Sequence, residues 1–252
     1  MQGVAWLPRL AYRGRVLPSE RTQSSFRIVV AGGGFVGGAL ALALARLAPK
    51  ICRVTLVDSV PPNAERPPDG RGLALSPASR NLLNAIGLWP QLEPSAQAMS
   101  AIEITDSPLD ATLRPNLLGF ADESGGDGVK AWLVEAGALL EAIAGAVHAD
   151  PGVDFIAPDT VQHFQTDAYG ASVQMGSGRT LRAALLVAAD GKKSKLRERA
   201  GIKCIGWSYP QMGIVASVAH ERPHNGLAVQ HFLPSGPFAM LPMKGNRSSI
   251  VW

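Results

Sequence analysis

The sequence predicts an α/β fold: a layered parallel sheet with helices, with further strands toward the end of the chain. Three observations predict it. An uncharged run from Ile28 to Ala45 holds five glycines in seven positions, Gly32, Gly33, Gly34, Gly37 and Gly38. A second apolar segment, Arg53 to Asp58, follows and ends in a carboxylate. The last fifty residues carry short apolar segments separated by Pro and Gly, the pattern of consecutive strands.

The uncharged run is long enough for a membrane span, but glycine is costly inside any helix. It divides better into a buried strand, Arg27–Ala31, a glycine turn, and a helix from about Phe35 to Ala48 that Pro49 ends. With Arg53–Asp58 as the next strand, this is a strand–turn–helix–strand unit. Ser76-Pro77 is an N-cap followed by proline at the first helical position, and Gly87 stops the helix that it opens. Trp132, Leu133, Leu139, Leu140, Ile143 and Val147 recur at helical spacing and are assigned to the core. Leu185–Ala189 is a buried strand running into Asp190-Gly191, with a short helix after Ser194. Ile214–Ala219 and Leu227–Phe232 are strands with a hairpin connection between them.

Composition bounds the function. The chain has 252 residues, 46% of them hydrophobic and 17% charged, which excludes disorder, collagen and a coiled-coil rod. The net charge of +4 is partly at one end, where Arg9, Arg13, Arg15 and Arg21 face only Glu20. That is too little for a nucleic-acid binder. Two cysteines, Cys52 and Cys204, cannot form a disulfide framework in a chain this long, so a reducing compartment is expected.

Gly32-Gly33-Gly34-Phe35-Val36-Gly37 reads G-x-G-x-x-G directly after a strand. Gly32 permits the tight turn, Gly34 lets the backbone approach a pyrophosphate, and Gly37 lets the helix pack on the strand. The helix N-terminus offers free N–H groups to the phosphates. Asp58 lies about 20 residues past the last glycine, where a ribose-binding acid belongs. An acid there repels a 2′-phosphate, so NAD or FAD is favoured over NADP; a strand-end cap is the bland alternative for Asp58. Asp190, at a strand's C-terminal edge, sits where ligands bind in such sheets.

His220-Glu-Arg-Pro-His224 matches H-E-x-x-H, but zinc chemistry needs both histidines on one helix face, and Pro223 breaks that helix. No metal is expected. Lys192, Lys193, Lys195, Arg197 and Arg199 are read as the solvated face of a short helix, with attraction of an anionic cofactor or membrane surface as the sharper alternative. His231 is read as an exposed strand histidine, with a ring contact to substrate as the alternative.

Arg71–Trp89 (RGLALSPASRNLLNAIGLW), Ala189–Arg197 and Gly206–Trp252 resemble flavin-dependent aromatic hydroxylases, and most of all the ubiquinone-biosynthesis hydroxylases that act on polyprenylated phenols. The segments Gly206–Gln211, His220–His224, Phe232–Phe238 and Ser248–Trp252 look specific to that branch. The resemblance covers about residues 26–252. It implies a three-layer Rossmann-like FAD-binding domain over 26–100 and 125–205 and an incomplete, mostly antiparallel β-sheet substrate domain over 101–124 and 206–252. Residues 1–25 are an extension expected to be disordered, with a basic targeting sequence or an over-long start as the alternatives. It implies FAD as cofactor, NAD(P)H as reductant, and O₂-dependent hydroxylation of the ring of a polyprenylated phenol. Asp58 would bind the adenosine ribose, Arg71 the pyrophosphate, Asp190 the flavin side, and Val161 would place its backbone at the adenine. It also implies a cytoplasmic protein with peripheral contact at the inner membrane and a ubiquinone-biosynthesis complex as partner. No side chain identifies itself as the catalytic base.

Two departures stand out. Val134-Glu135 is followed by Ala136 and Gly137 where the family carries Asn-Arg, which weakens one flavin contact. The second FAD motif, a Gly-Asp with a nearby Ala-His and Pro, is expected beyond residue 252, so the chain is read as C-terminally truncated. The alternatives are another flavoprotein hydroxylase or oxidoreductase of small aromatics, and an inactive remnant. A soluble aromatic acid would need a cationic anchor; the strands instead carry Phe232, Phe238, Met240 and Leu241.

Overall fold

The computed structural model describes residues 26–61, 64, 69–108, 110–113, 115–120 and 128–252. The extension 1–25 and part of the proline-rich loop after Asp58 lie outside the described residues. In chain order the elements are β1 (Phe26–Ala31), α1 (Phe35–Leu47), β2 (Cys52–Val57), β3 (Gly72–Leu75), α2 (Pro77–Ala85), α3 (Trp89–Leu92), β4 (Gln97–Met99), β5 (Ala101–Asp106) and β6 (Asn116–Phe120). They continue with β7 (Ala131–Glu135), α4 (Ala136–Ala149), β8 (Val153–Ile156), β9 (Val161–Asp167), β10 (Gly170–Met175), β11 (Thr180–Ala183), β12 (Leu185–Ala188) and α5 (Lys195–Arg199). The last four are β13 (Val215–Ala219), β14 (Leu227–Leu233), β15 (Gly236–Met243) and β16 (Arg247–Val251).

The first part is a three-layer α/β unit. Its middle layer is a parallel sheet in the order β12-β1-β2-β8. Alternation along β1 sends Val30 to one face and Val29 to the other. Val30 joins Leu42, Leu56, Ile143 and Val147 beneath α1 and α4. Val29 and Val57 of β2 join Val173, Met175 and Leu181 of the antiparallel β9–β11 meander, which covers the opposite face. Because both faces are covered, the strands read as continuous apolar runs. Among the described residues no helix is long and apolar enough to cross a membrane; the run from Ile28 is β1, a turn and α1.

A small antiparallel sheet, β3-β7-β4, links this unit to a six-stranded sheet, β13-β16-β15-β14-β5-β6. The larger sheet is antiparallel except where β14 runs parallel to β5. Met99, Ala131 and Leu133 of the small sheet pack with Ala228, Ile102 and Leu241 of the large one. Ser217 Oγ donates to the Gly70 carbonyl (2.8 Å) and Arg247 pairs with Glu135 (2.8 Å), adding polar ties between them. In the helical layer, the Arg80 guanidinium lies over both Trp89 (5.2 Å) and Trp132 (4.9 Å).

Three sequence expectations are corrected. Trp132 and Leu133 do not belong to the helix: they lie on β7, paired with β3 and β4, and α4 begins only at Ala136. The helical stripe is Leu139, Ile143 and Val147, all buried; a buried strand running straight into a helix mimics a longer period. Residues 220–226 are not a hairpin, since β16 and β15 lie between β13 and β14. His231 is buried, at 7% exposure, with Nδ1 hydrogen-bonded to Thr105 Oγ1 of the neighbouring strand.

Candidate cofactor site

The site lies past the C-terminal ends of β1, β2 and β12. Gly32 leaves β1 with φ +105°, which a side chain rarely adopts, and a Cβ there would strike the Ala189 carbonyl. A Cβ on Gly37 would strike the Gly32 carbonyl, so this glycine sets how closely α1 packs on the turn. Gly34 differs: a Cβ there meets nothing within 4 Å. Its Cα faces open space at the head of α1, which has no acidic residue in its first turn and no side-chain cap. The exposed N–H groups and the dipole therefore point into the cavity.

Asp58 follows β2. One carboxylate oxygen accepts from the Gly33 N–H and the other from the Val60 N–H (2.7 Å). The acid thus ties the glycine turn to the end of β2 and keeps unused lone pairs for ribose hydroxyls. The Asp58 carbonyl accepts from the Asp159 N–H (2.8 Å), which brings the segment before β9 alongside. Asp190 follows β12, and one of its oxygens accepts from the Lys195 N–H (3.0 Å) and Leu196 N–H (3.3 Å) at the start of α5. Partial burial pushes its pKa up, but the Ser194 hydroxyl and these backbone donors outweigh that and hold it below the usual carboxylate value. Asp159 behaves alike: burial opposes, while the Ser177 hydroxyl and N–H groups from Thr160, Ser177 and Gly176 hold it down.

These loops enclose a cavity of about 630 Å³. Gly32, Gly34, Asp58, Val161 and Asp190 all line it. Gly37 sits behind the turn. Arg71 does not line it: its guanidinium is engaged by Asp69 through two hydrogen bonds (2.6 and 2.8 Å). That pair lowers the Asp69 pKa and raises that of Arg71. The Arg71 and Asp69 carbonyls accept from the Ala136 and Gly137 N–H groups (both 2.9 Å), so the segment seals the head of α4. The departure at Ala136-Gly137 thereby has a local steric reason, since a Cβ on Gly137 would crowd the Asp69 carbonyl.

Sequence reasoning missed Asp159, Thr160 and Gln162 on the floor; Lys193, Lys195 and Arg199, read in the sequence as a solvated face with attraction of an anionic cofactor as the alternative, stand on a wall. The helical spacing of Lys195 and Arg199 was the available signal for the wall. The zinc-like motif is spent internally: His220 bonds the Arg222 carbonyl and Ser248 Oγ, while His224 bonds the Met243 and Gly245 carbonyls and accepts from the Gly226 N–H.

A parallel sheet with a glycine turn after its first strand and an acid after its second defines a dinucleotide-binding fold. The chain belongs to the FAD-binding domain family, whose model matches residues 25–252. It is 40% identical over 227 residues to ubiquinone hydroxylase UbiL of Rhodospirillum rubrum, covering 89% of this chain and 51% of that protein. It is 32% identical over 265 residues to the mitochondrial ubiquinone biosynthesis monooxygenase COQ6 of Mus musculus, covering 97% and 54%. Among solved structures, PqsL of Pseudomonas aeruginosa in complex with 2-aminobenzoylacetate shares the fold, with TM-score 0.71 and 19% identity over 90% of this chain and 60% of that one. The chain spans about half the length of the curated relatives it matches.

Proposed function

We propose that the chain supplies the cofactor-binding layer and part of the substrate sheet of an FAD-dependent monooxygenase. Its reaction is hydroxylation of the aromatic ring of a polyprenylated phenol in ubiquinone biosynthesis, with NAD(P)H and O₂. The observation that carries this is the gathering of Gly32, Gly34, Asp58, Val161 and Asp190 around one cavity from distant parts of the chain. The fit is steric as well as chemical, because the space beside Gly34 is what a pyrophosphate needs and a valine would fill it.

When bound, FAD supplies the redox and oxygen chemistry; this chain's residues hold and orient it. Asp58 would accept from the ribose hydroxyls, and the Gly34 backbone and head of α1 would receive the pyrophosphate. The backbone at Val161 would serve the adenine, and Asp190, which holds the start of α5, would serve the flavin side. Arg71 reaches the pyrophosphate only by leaving Asp69.

Residues 26–100 and 125–205 form the FAD-binding domain, and 101–124 with 206–252 the substrate domain. An apolar substrate is supported by the large sheet, where Phe232, Leu118, Phe120 and Val251 share one face by register and stay exposed. Phe238 and Met240 lie on the opposite face, so the four apolar residues singled out in the sequence do not form one patch. Peripheral contact with an anionic membrane surface is supported by exposed Ile205, Trp207, Tyr209 and Met212 next to Lys203; the cytoplasmic side of the inner membrane and a ubiquinone-biosynthesis complex rest on the likeness to the ubiquinone-biosynthesis hydroxylases alone. The test is flavin absorbance retained by the purified chain beside that of Gly34→Val. Retained flavin in the wild type and its loss in a folded variant are expected; equal retention in both overturns the assignment.

A further inference from the structure

The fold splits the cationic run between Lys192 and Arg199. Lys193 in the loop after Asp190, and Lys195 and Arg199 one turn apart on α5, line the same cavity as the glycine turn and Asp58. Arg197 turns away: its guanidinium donates to the Lys192 carbonyl (3.2 Å) and borders the neighbouring apolar groove. Some arginines elsewhere hold carboxylates, as Arg46 holds Asp150, Arg182 holds Asp167 and Arg247 holds Glu135, while Arg53, Arg179 and Arg222 form no ion pair among the described residues. Among the described residues the charged ends of Lys193, Lys195 and Arg199 have no hydrogen-bond or ion-pair partner.

The carboxylates that share the cavity form no ion pair with them. Asp58 is engaged by Gly33 and Val60, Asp159 by Thr160 and Ser177, and Asp190 by Ser194, Lys195 and Leu196, through backbone N–H groups and the Ser177 and Ser194 hydroxyls. The acids are thus tied into their own loops, and the cations stand free across the opening. Cations without a carboxylate partner at the edge of a cleft attract an anionic group brought within reach of them, and salt screens the effect.

We propose that Lys193, Lys195 and Arg199 form a cationic wall that recognises the pyrophosphate of the incoming dinucleotide, in addition to the neutral backbone cradle at Gly32–Gly34. This rests on the FAD reading above. The wall makes affinity depend on phosphate charge, so that FAD and ADP are captured far better than riboflavin or adenosine.

The test titrates the wild-type chain and a Lys193→Gln, Lys195→Gln, Arg199→Gln variant with FAD, followed by flavin fluorescence, and with ADP by calorimetry. Both are run at about 20 mM and about 500 mM NaCl, where screening is weak and strong. A Lys192→Gln, Arg197→Gln variant is the charge control, and circular dichroism confirms that each variant is folded. At low salt the triple variant should bind FAD and ADP about ten-fold more weakly than wild type, and the two should converge at high salt. The control should follow wild type. Equal affinity of wild type and triple variant at both salts overturns the wall and leaves the FAD reading standing. An equal loss in the control assigns the effect to net charge and overturns it too. If the triple variant loses affinity for 2′-phospho-ADP but not for ADP, the wall reads a ribose phosphate, and the pyrophosphate assignment is wrong. A wild-type chain that binds neither FAD nor ADP overturns the FAD reading and the wall together.

Discussion

In the parallel sheet the site residues stand just past strand ends, at Gly32 after β1, Asp58 after β2 and Asp190 after β12. In the six-stranded sheet the candidate contacts lie along the strands, and neighbours in sequence face opposite ways. The parallel sheet is covered on both faces, so side-chain direction matters little and position along the strand decides what reaches the ligand. In the outer sheet one face packs on β4 and β7, and a shift of one residue exchanges the two faces. The same kind of residue, an apolar side chain in a strand, therefore carries different information in the two regions.

The largest effect is expected at Gly37→Val. The added atoms meet the Gly32 carbonyl, which cannot move without displacing β1. Destabilisation should be on the order of 3 kcal/mol or more, read as a lowered urea midpoint, and an unchanged midpoint would show that α1 can slide. Gly34→Val should separate the site from the fold: flavin binding disappears, while stability stays within about 1 kcal/mol of wild type because the position is open.

Asp58→Ala comes next, weakening FAD by about 1.5–3 kcal/mol, the worth of a charge-assisted hydrogen bond. A dissociation constant equal to wild type would reduce Asp58 to a tie between the glycine turn and β2. On the outer sheet, Phe232→Asp should weaken binding of a prenylated phenol by about ten-fold, or about 1.4 kcal/mol, and Met240→Asp should not. Equal losses would mean that the two faces are not functionally distinct.

The smallest effect concerns pH. The Asp190 carboxyl has a folded pKa below its unfolded value of about 3.9. Its contribution is present above the unfolded value and is lost as pH falls through the lowered folded value. Asp190→Asn should therefore flatten acid destabilisation in that window only, seen as converging midpoints of variant and wild type at low pH. A constant offset down to the lowest pH would place the stabilisation elsewhere.

The strand, turn, helix and acid from Arg27 to Asp58 were legible because about thirty neighbouring residues form them, each glycine answering a local steric demand. Ser76-Pro77 likewise announced α2, with Ser76 Oγ accepting from the Ser79 N–H (3.2 Å) as the cap chemistry requires. The Asp190 position could be read because an apolar strand runs into it, although β12 stands at the sheet edge and is not buried as the sequence suggested, with Leu185 52% exposed. Other features depend on partners remote in the chain. His231 is buried because β14 pairs in parallel with β5, and this sets it beside Thr105, 126 residues away. Arg71 is turned from the cavity because Asp69 lies within reach once the segment folds over the head of α4. Lys193 and Arg199 join the site while Arg197 does not, because α5 lies across the cavity mouth at one rotation about its axis. Local sequence encodes dihedral preference and period. Register between distant strands and the rotation of a docked helix come from packing the whole chain, and these select which of several equivalent residues meets the ligand.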